Sequence, residues 1–298
     1  MITNIVFSLY NRVFRRKITG IKVQYSDGIS FYVYVPLPDL MFLLYELILS
    51  DMYEYLDIFR LNKISPRLVV DIGAHVGLFS IRASFYSSKV YAIEPNPLTN
   101  YLLELNCKVN KRSNVSILRC GIWKERTITY LLSPEPFSVG AFIDTMPQSN
   151  SHNFIINTLT LEDLFAQILG NKKEIIDLVK IDIEGSEYDV ILNTSHNILR
   201  KVKRYVVELH DLKKHYRVHE LIDHFISAGF KIFILKQPYE LVKRTFTSLS
   251  NFMMRRVKIE GIDTPFLLTL GMLYDASTLA LTFLDITKIH SLLYAWIG

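Results

Sequence analysis

The sequence predicts an α/β fold: a mostly parallel sheet of about seven strands with helices on both faces. Three observations carry that prediction. Leu68-Val69-Val70 is an apolar, β-branched run of the kind that fills a strand buried on both sides, and it leads through Asp71 to the glycine pair Gly73 and Gly77. After Gly77 the apolar positions Leu78, Ile81 and Phe85 shift towards helical spacing. A second strand-like run, Lys89–Ile93, then ends in Glu94. Strand, glycine turn, helix and strand again is the order in which a doubly wound sheet brings its backbone up to a nucleotide-like ligand.

The glycine spacing selects the ligand. The dinucleotide fingerprint is G-x-G-x-x-G, whereas here His75 stands where a second close glycine would be and the spacing is G-x-x-x-G. A pyrophosphate needs that extra backbone approach; a ligand with an amino-acid carboxylate and no phosphate does not. The start of the following helix offers unpaired N–H groups to such a carboxylate. Asp71 would accept from an ammonium group, and Glu94 from both hydroxyls of a ribose. Carboxylate, ammonium and ribose together describe S-adenosylmethionine (SAM). His75 is expected to shape the turn or touch this cofactor. Asn96, the expected N-cap before Pro97, sits beside the same site. A third strand, Val115–Arg119, ends in Cys120-Gly121, and the topology of doubly wound sheets puts that strand end beside the adenine.

Two further strands should hold the chemistry, because ligands gather at the carboxyl ends of parallel strands where the strand order switches. Leu178–Ile183 carries Lys180 and Asp182 and runs into Glu184-Gly185, while Tyr205–Leu209 carries Glu208 and is followed by His210 and Asp211. Transfer of a methyl group to a hydroxyl requires an aligned oxygen and a base for its proton. An unperturbed imidazole suits that base, so His210 is the candidate. Asp182 and Glu208 could orient the acceptor or, with His210, hold it through a divalent cation such as Mg²⁺ or Ca²⁺. The plainer reading makes the two acids strand-end caps and His210 a hydrogen-bonded loop residue. Lys180 reads as the partner of a nearby carboxylate.

Five stretches resemble the FkbM-type methyltransferase family: VVDIGAHVGLFS (Val69–Ser80), VYAIEPNP (Val90–Pro97), LTLEDL (Leu159–Leu164), DLVKIDIEGSEYDVI (Asp177–Ile191) and YVVELHD (Tyr205–Asp211). They occur in the family's order. The resemblance implies a Rossmann-like class I fold, a SAM-dependent O-methyltransferase, and functional roles for Asp182 and Glu208. It implies little about the acceptor, because the family's substrates vary widely.

The remaining features set bounds. The 298 residues divide into an N-terminal helix and hairpin cap (1–65), the methyltransferase domain (66–248) and an apolar C-terminal extension (249–298). Two cysteines, Cys107 and Cys120, form neither a disulfide framework nor a CxxC metal motif, which favours a reducing cytoplasm. A formal charge of +5 is mildly basic, and no recognition helix or RRM accompanies the Lys201–Arg217 basic region, so nucleic-acid binding is not expected. Met1–Lys17 reads as an amphipathic helix ending in Arg15-Arg16-Lys17. It could lie on an anionic membrane or pack on the domain. Ile18–Val35 reads as a hairpin around Ser26-Asp27-Gly28, and Asp39–Phe59 as a helix. Thr160 and Asp163 form a capping box, and Ser133–Asn153 an irregular lid-like stretch. His215, His219 and His224 fit a solvated helix better than a metal site. The tail Phe266–Ile297 is apolar but interrupted by Asp275 and Asp285, which argues against a membrane span. It reads as a packed or dimerising helix pair, or as an interfacial segment (264–298) acting with residues 1–17 in peripheral membrane association. The expected partner is a small-molecule or glycan acceptor, a sugar or glycolipid hydroxyl among them; oligomeric state is left open. The other classes considered are an NAD-dependent oxidoreductase, which the missing middle glycine disfavours, a sugar-nucleotide enzyme, which lacks a DxD, and a non-catalytic membrane-associated binding protein.

Overall fold

The computed structural model describes residues 18–25, 27–36, 53–137, 140–170, 174–210, 217–236 and 291–297. The helix expected over Met1–Lys17, most of that over Asp39–Phe59, the tail as far as residue 290, and Asp211 and His215 lie outside the described residues. Among the described residues no helix is long and apolar enough to cross a membrane.

The described residues open with the expected hairpin, β1 (Ile18–Gln24) and β2 (Ser30–Pro36), paired antiparallel with Ile21 opposite Val33. Alternation puts Ile21, Val23, Phe31, Val33 and Val35 on one face, and all five are buried. They pack with Val76, Leu78, Ile81, Leu102 and Leu103, so the hairpin covers one side of the glycine-turn region. After the short helix α1 (Leu61–Ile64) comes β3 (Leu68–Ile72), buried along its whole length as its unbroken apolar run requires. Then follow α2 (Leu78–Ser84), β4 (Lys89–Ile93), α3 (Pro97–Val109) and β5 (Val115–Leu118). Asn96 caps α3, accepting from Leu98 N, with Pro97 at the first helical position.

A small mixed sheet is inserted next. It comprises β6 (Gly121–Ile122), β7 (Ile128–Ser133), β8 (Phe142–Asp144) and β9 (His152–Leu159), in the order β6-β9-β7-β8. The stretch Ser133–Asn153, read from sequence as irregular, therefore contains a strand and the start of another. Three residues of β8 are too few to show a period, and only their pairing with Tyr130–Leu132 of β7 defines them. The expected capping box opens α4 (Leu161–Leu169), with Thr160 and Asp163 bonded reciprocally. The chain continues through β10 (Leu178–Ile181), α5 (Glu187–Leu192), α6 (His196–Leu199), β11 (Arg204–Leu209), α7 (Arg217–Ser227), β12 (Lys231–Lys236) and β13 (Ser291–Trp296).

Among the described residues the central sheet has seven strands in the order β12-β13-β11-β10-β3-β4-β5. β3 lies between β4 and β10, so the strand order switches there and a crevice opens at the carboxyl ends of β3, β4, β10 and β11. All pairings are parallel except those of β13, which runs antiparallel to both β11 and β12. The fold is Rossmann-like, with one reversed strand inserted near an edge.

β13 corrects the expectation of a helix pair for the end of the tail, and it carries the central sheet beyond residue 248. Leu292, Leu293, Tyr294 and Ala295 are consecutive and buried, and such a run fits a buried helix as well as a strand covered on both faces. If the sheet depends on this strand, Leu293→Ala should cost about 2–5 kcal/mol of unfolding free energy in urea. A change near zero would mean that the strand merely docks.

Candidate active site

The cofactor side is built on the turn after β3. Gly73 and Gly77 have φ of 79° and 92°, and His75 between them is also left-handed at 49°. A side chain at Gly73 would run into the carbonyl oxygen of Asp182, and one at Gly77 into Leu103 on α3. The first contact joins the glycine turn to the reaction strand; the second lets α2 and α3 close. Glu94, at the end of β4, is 7% exposed and accepts from His75 N (2.8 Å) and Asn96 N (2.9 Å). Each of its oxygens keeps a second lone pair for a hydroxyl. Asn96 Nδ2 donates to Pro136 O, and His75 Nε2 lies 3.3 Å from Phe137 O, so the loop after β7 reaches over this corner.

Asp71 is placed differently from expectation. It is fully buried, takes the Ser80 hydroxyl at 2.6 Å and faces Lys180 Nζ at 3.5 Å. Lys180, 1% exposed, also donates to Gly73 O (3.2 Å) and Asp182 Oδ2 (3.1 Å). The ammonium that Asp71 meets here is the protein's own. Cys120 and Gly121 do follow β5, but both have packing roles. Cys120 lies in the main core cluster with Ile93 and Leu161, and Gly121 leaves room for Ile143, Ile156 and Thr158 of the small sheet.

The reaction side lies across the switch point. His210 is 5% exposed, with Nδ1 2.8 Å from Glu187 Oε1 and Nε2 3.6 Å from Glu184 Oε2 and 3.9 Å from Asp182 Oδ1. Glu187 is wholly buried and also accepts from Ile183 N and Gly185 N, which fixes the imidazole from behind. Asp182, Glu184 and His210 each bring a ligand atom within 4.8 Å of the others, close enough to hold a metal ion. Glu208 is not part of that group; its Oε2 lies 2.5 Å from the Tyr53 hydroxyl. Sequence reasoning thus missed Glu184, Glu187 and Tyr53. The glutamates were legible as the acids of EGSE, whereas nothing in the sequence links Tyr53 to this place. His219 is exposed on α7, while His224 is held by Thr194 O at 2.8 Å and faces His196.

A family model, the Methyltransferase FkbM domain, matches residues 71–232, more than half of the chain. The chain belongs to the FkbM methyltransferase family. It is similar to "Methyltransferase 1" of Beauveria bassiana, at 23% identity over 49% of this chain and 65% of that protein. It is also similar to "Methyltransferase sdnD" of Sordaria araneosa, at 25% identity over 61% of this chain and 79% of that protein. The chain thus spans just under two thirds of the length of the Beauveria relative. Among solved structures, an FkbM methyltransferase from Methylobacillus flagellatus aligns with a TM-score of 0.38 at 16% identity, covering 57% of this chain and 40% of that one.

Within this FkbM domain, electrostatics separate the acids. Burial would raise Asp182, yet Lys180 and His210 beside it hold it below the usual carboxylate value. Burial, with Asp182 nearby, raises Glu208, and burial pushes Glu184 up to about 8 against the pull of His210. Burial disfavours a charged His210, but Glu187 and Glu184 outweigh it and keep the imidazole protonated well above its ordinary range. That corrects the argument from an unperturbed imidazole: with its carboxylates around it and no added positive charge, His210 already carries its proton at neutral pH. Burial also takes His75 down to about 4, so it is neutral and no base.

Glu94 has a measurable consequence. Burial lifts it from 4.5 to about 7, so between those values the folded chain keeps a proton that the unfolded chain has released. Its contribution to stability is therefore full below 4.5 and is lost as pH rises through 7, by about 3 kcal/mol in the cofactor-free chain. Urea unfolding of wild type and Glu94→Ala across that range should show their difference moving against wild type with pH. A difference independent of pH would contradict the burial argument.

Proposed function

We propose that this chain transfers a methyl group from SAM to a hydroxyl oxygen of a small-molecule or glycan acceptor. The observation that carries the reading is the meeting, at one switch point of an FkbM-family domain, of a left-handed glycine turn with a carboxylate–imidazole cluster. Gly73–Gly77 and the start of α2 would receive the cofactor's amino-acid end, and Glu94 its ribose. The acceptor oxygen forms a bond to the methyl carbon as the carbon–sulfur bond breaks, sulfur leaves neutral, and the hydroxyl proton passes to a base. Glu208 is the candidate to take that proton, with Asp182 and Glu184 to hold the hydroxyl in line beside the protonated His210.

One imidazole and two carboxylates also suit a divalent cation of the Mg²⁺, Mn²⁺ or Ca²⁺ kind. Asp182, Glu184 and His210 would hold it, and it would lower the pKa of a bound hydroxyl. So many carboxylates disfavour an anionic reacting group and support a neutral sugar, glycolipid or metabolite hydroxyl. The free cysteines Cys107 and Cys120 fit a reducing cytoplasm. Peripheral attachment to a membrane through residues 1–17 and 264–290 is part of the same proposal; the end of that tail, β13, is buried in the sheet instead.

Calorimetric titration with SAM, S-adenosylhomocysteine (SAH) and NAD tests the cofactor. Micromolar binding of the two adenosyl compounds alone, weakened at least about tenfold in Glu94→Ala, is expected. Binding of NAD alone, or of none, would end the methyltransferase reading. Mn²⁺ titration of the SAH-bound chain tests the ligand set: Glu184→Gln should weaken binding more than Glu208→Gln. The reverse order would restore the set read from sequence.

A further inference from the structure

The family match begins at Asp71, yet a side chain from upstream of it enters the reaction centre. Tyr53 is 2% exposed, and its hydroxyl lies 3.3 Å from Asp182 Oδ2 as well as 2.5 Å from Glu208 Oε2. Its ring meets Phe79 of α2 edge-on at 5.8 Å, and Lys180 Nζ stands 5.2 Å from the ring centroid. The next residue anchors it. Glu54 accepts from Arg82 Nε of α2 (2.5 Å) and from Leu61 N (2.9 Å), and Arg82 reaches on to Asp27 beside the hairpin turn (3.0 Å). Tyr53 is therefore held from behind by the helix that follows the glycine turn.

Its effect falls on one oxygen of Asp182. Oδ2 receives the Lys180 ammonium and shares with Glu208 Oε2 the single proton of the Tyr53 hydroxyl, whereas Oδ1 lies on the side of His210 Nε2. The terminal torsion of an aspartate is broad, and one donor leaves the carboxylate free to rock. Two donors from different elements, both on Oδ2, fix its plane and aim Oδ1 at His210 and Glu184. We propose that Tyr53, together with Lys180, is a positioning residue that sets the orientation of Asp182, so that the segment before the FkbM domain completes the reaction centre. The consequence for chemistry rests on the methyl-transfer reading; the geometry of Asp182 does not.

Tyr53→Phe tests this, because it keeps the ring contacts and removes only the hydroxyl. A merely structural Tyr53 would tolerate the change. Mn²⁺ binding to the full chain saturated with SAH, followed by electron paramagnetic resonance, should weaken about tenfold or more, while SAH affinity stays within about twofold. Crystal structures of wild type and variant should show the Asp182 carboxylate turned away from His210. Unchanged Mn²⁺ affinity with an unmoved carboxylate overturns the inference. If wild type binds no Mn²⁺, the crystal pair decides: a turned carboxylate supports the role and a superimposable one removes it. If wild type binds no SAH, the methyl-transfer reading fails, and the same pair grown without SAH still decides the role of Tyr53.

Discussion

The close approach of the β3 turn to the end of β10 is the constraint on which the site depends. Gly73 and the carbonyl of Asp182 come so near that no side chain fits between them, and Asp182 N donates to Ile72 O across the same junction at 3.0 Å. Lys180 seals it from below with one ammonium shared among Asp71, Gly73 O and Asp182. A buried charge is tolerated only where its partners leave little of it unpaired. Here the partners belong to the glycine turn after β3 and to the end of β10. The cation therefore ties the two halves of the crevice into one unit.

From that junction the acids divide by environment. Asp182 stays ionised because a lysine and an imidazolium face it, whereas Glu184 and Glu208, half-buried among other carboxylates, are raised. Acids of the same chemistry are thus pushed in opposite directions by their surroundings. Glu187 acts on the imidazole instead. It receives two backbone amides and His210 Nδ1, which directs Nε2 towards Asp182 and Glu184.

Much of this was legible because it is local. The run through Leu68–Ile72, the glycines after it, Asn96 before Pro97 and the Thr160–Asp163 box are read from neighbours in the chain, and each stands where expected. β13 was not legible, since Leu292–Ala295 has no period to separate strand from helix and its partners β11 and β12 lie far back in the chain. The sequence places Gly121 at a strand end where ligands gather, whereas its small size makes room for Ile143 and Ile156 of the small sheet, whose short strands have no clear period.

By itself the sequence determined the strand–turn–helix unit and the strands that lead into Asp182 and His210 and carry Glu208, because hydrophobic period and turn chemistry act over a few residues; its five motifs gave the family resemblance. Only the tertiary structure decided what those residues face. It turned Asp71 towards Lys180, exchanged Glu208 for Glu184 beside Asp182 and His210, and brought Tyr53 into the centre. Burial and charge pairing are sums over whatever the fold brings together, and those partners are distant in the chain. No local pattern encodes them.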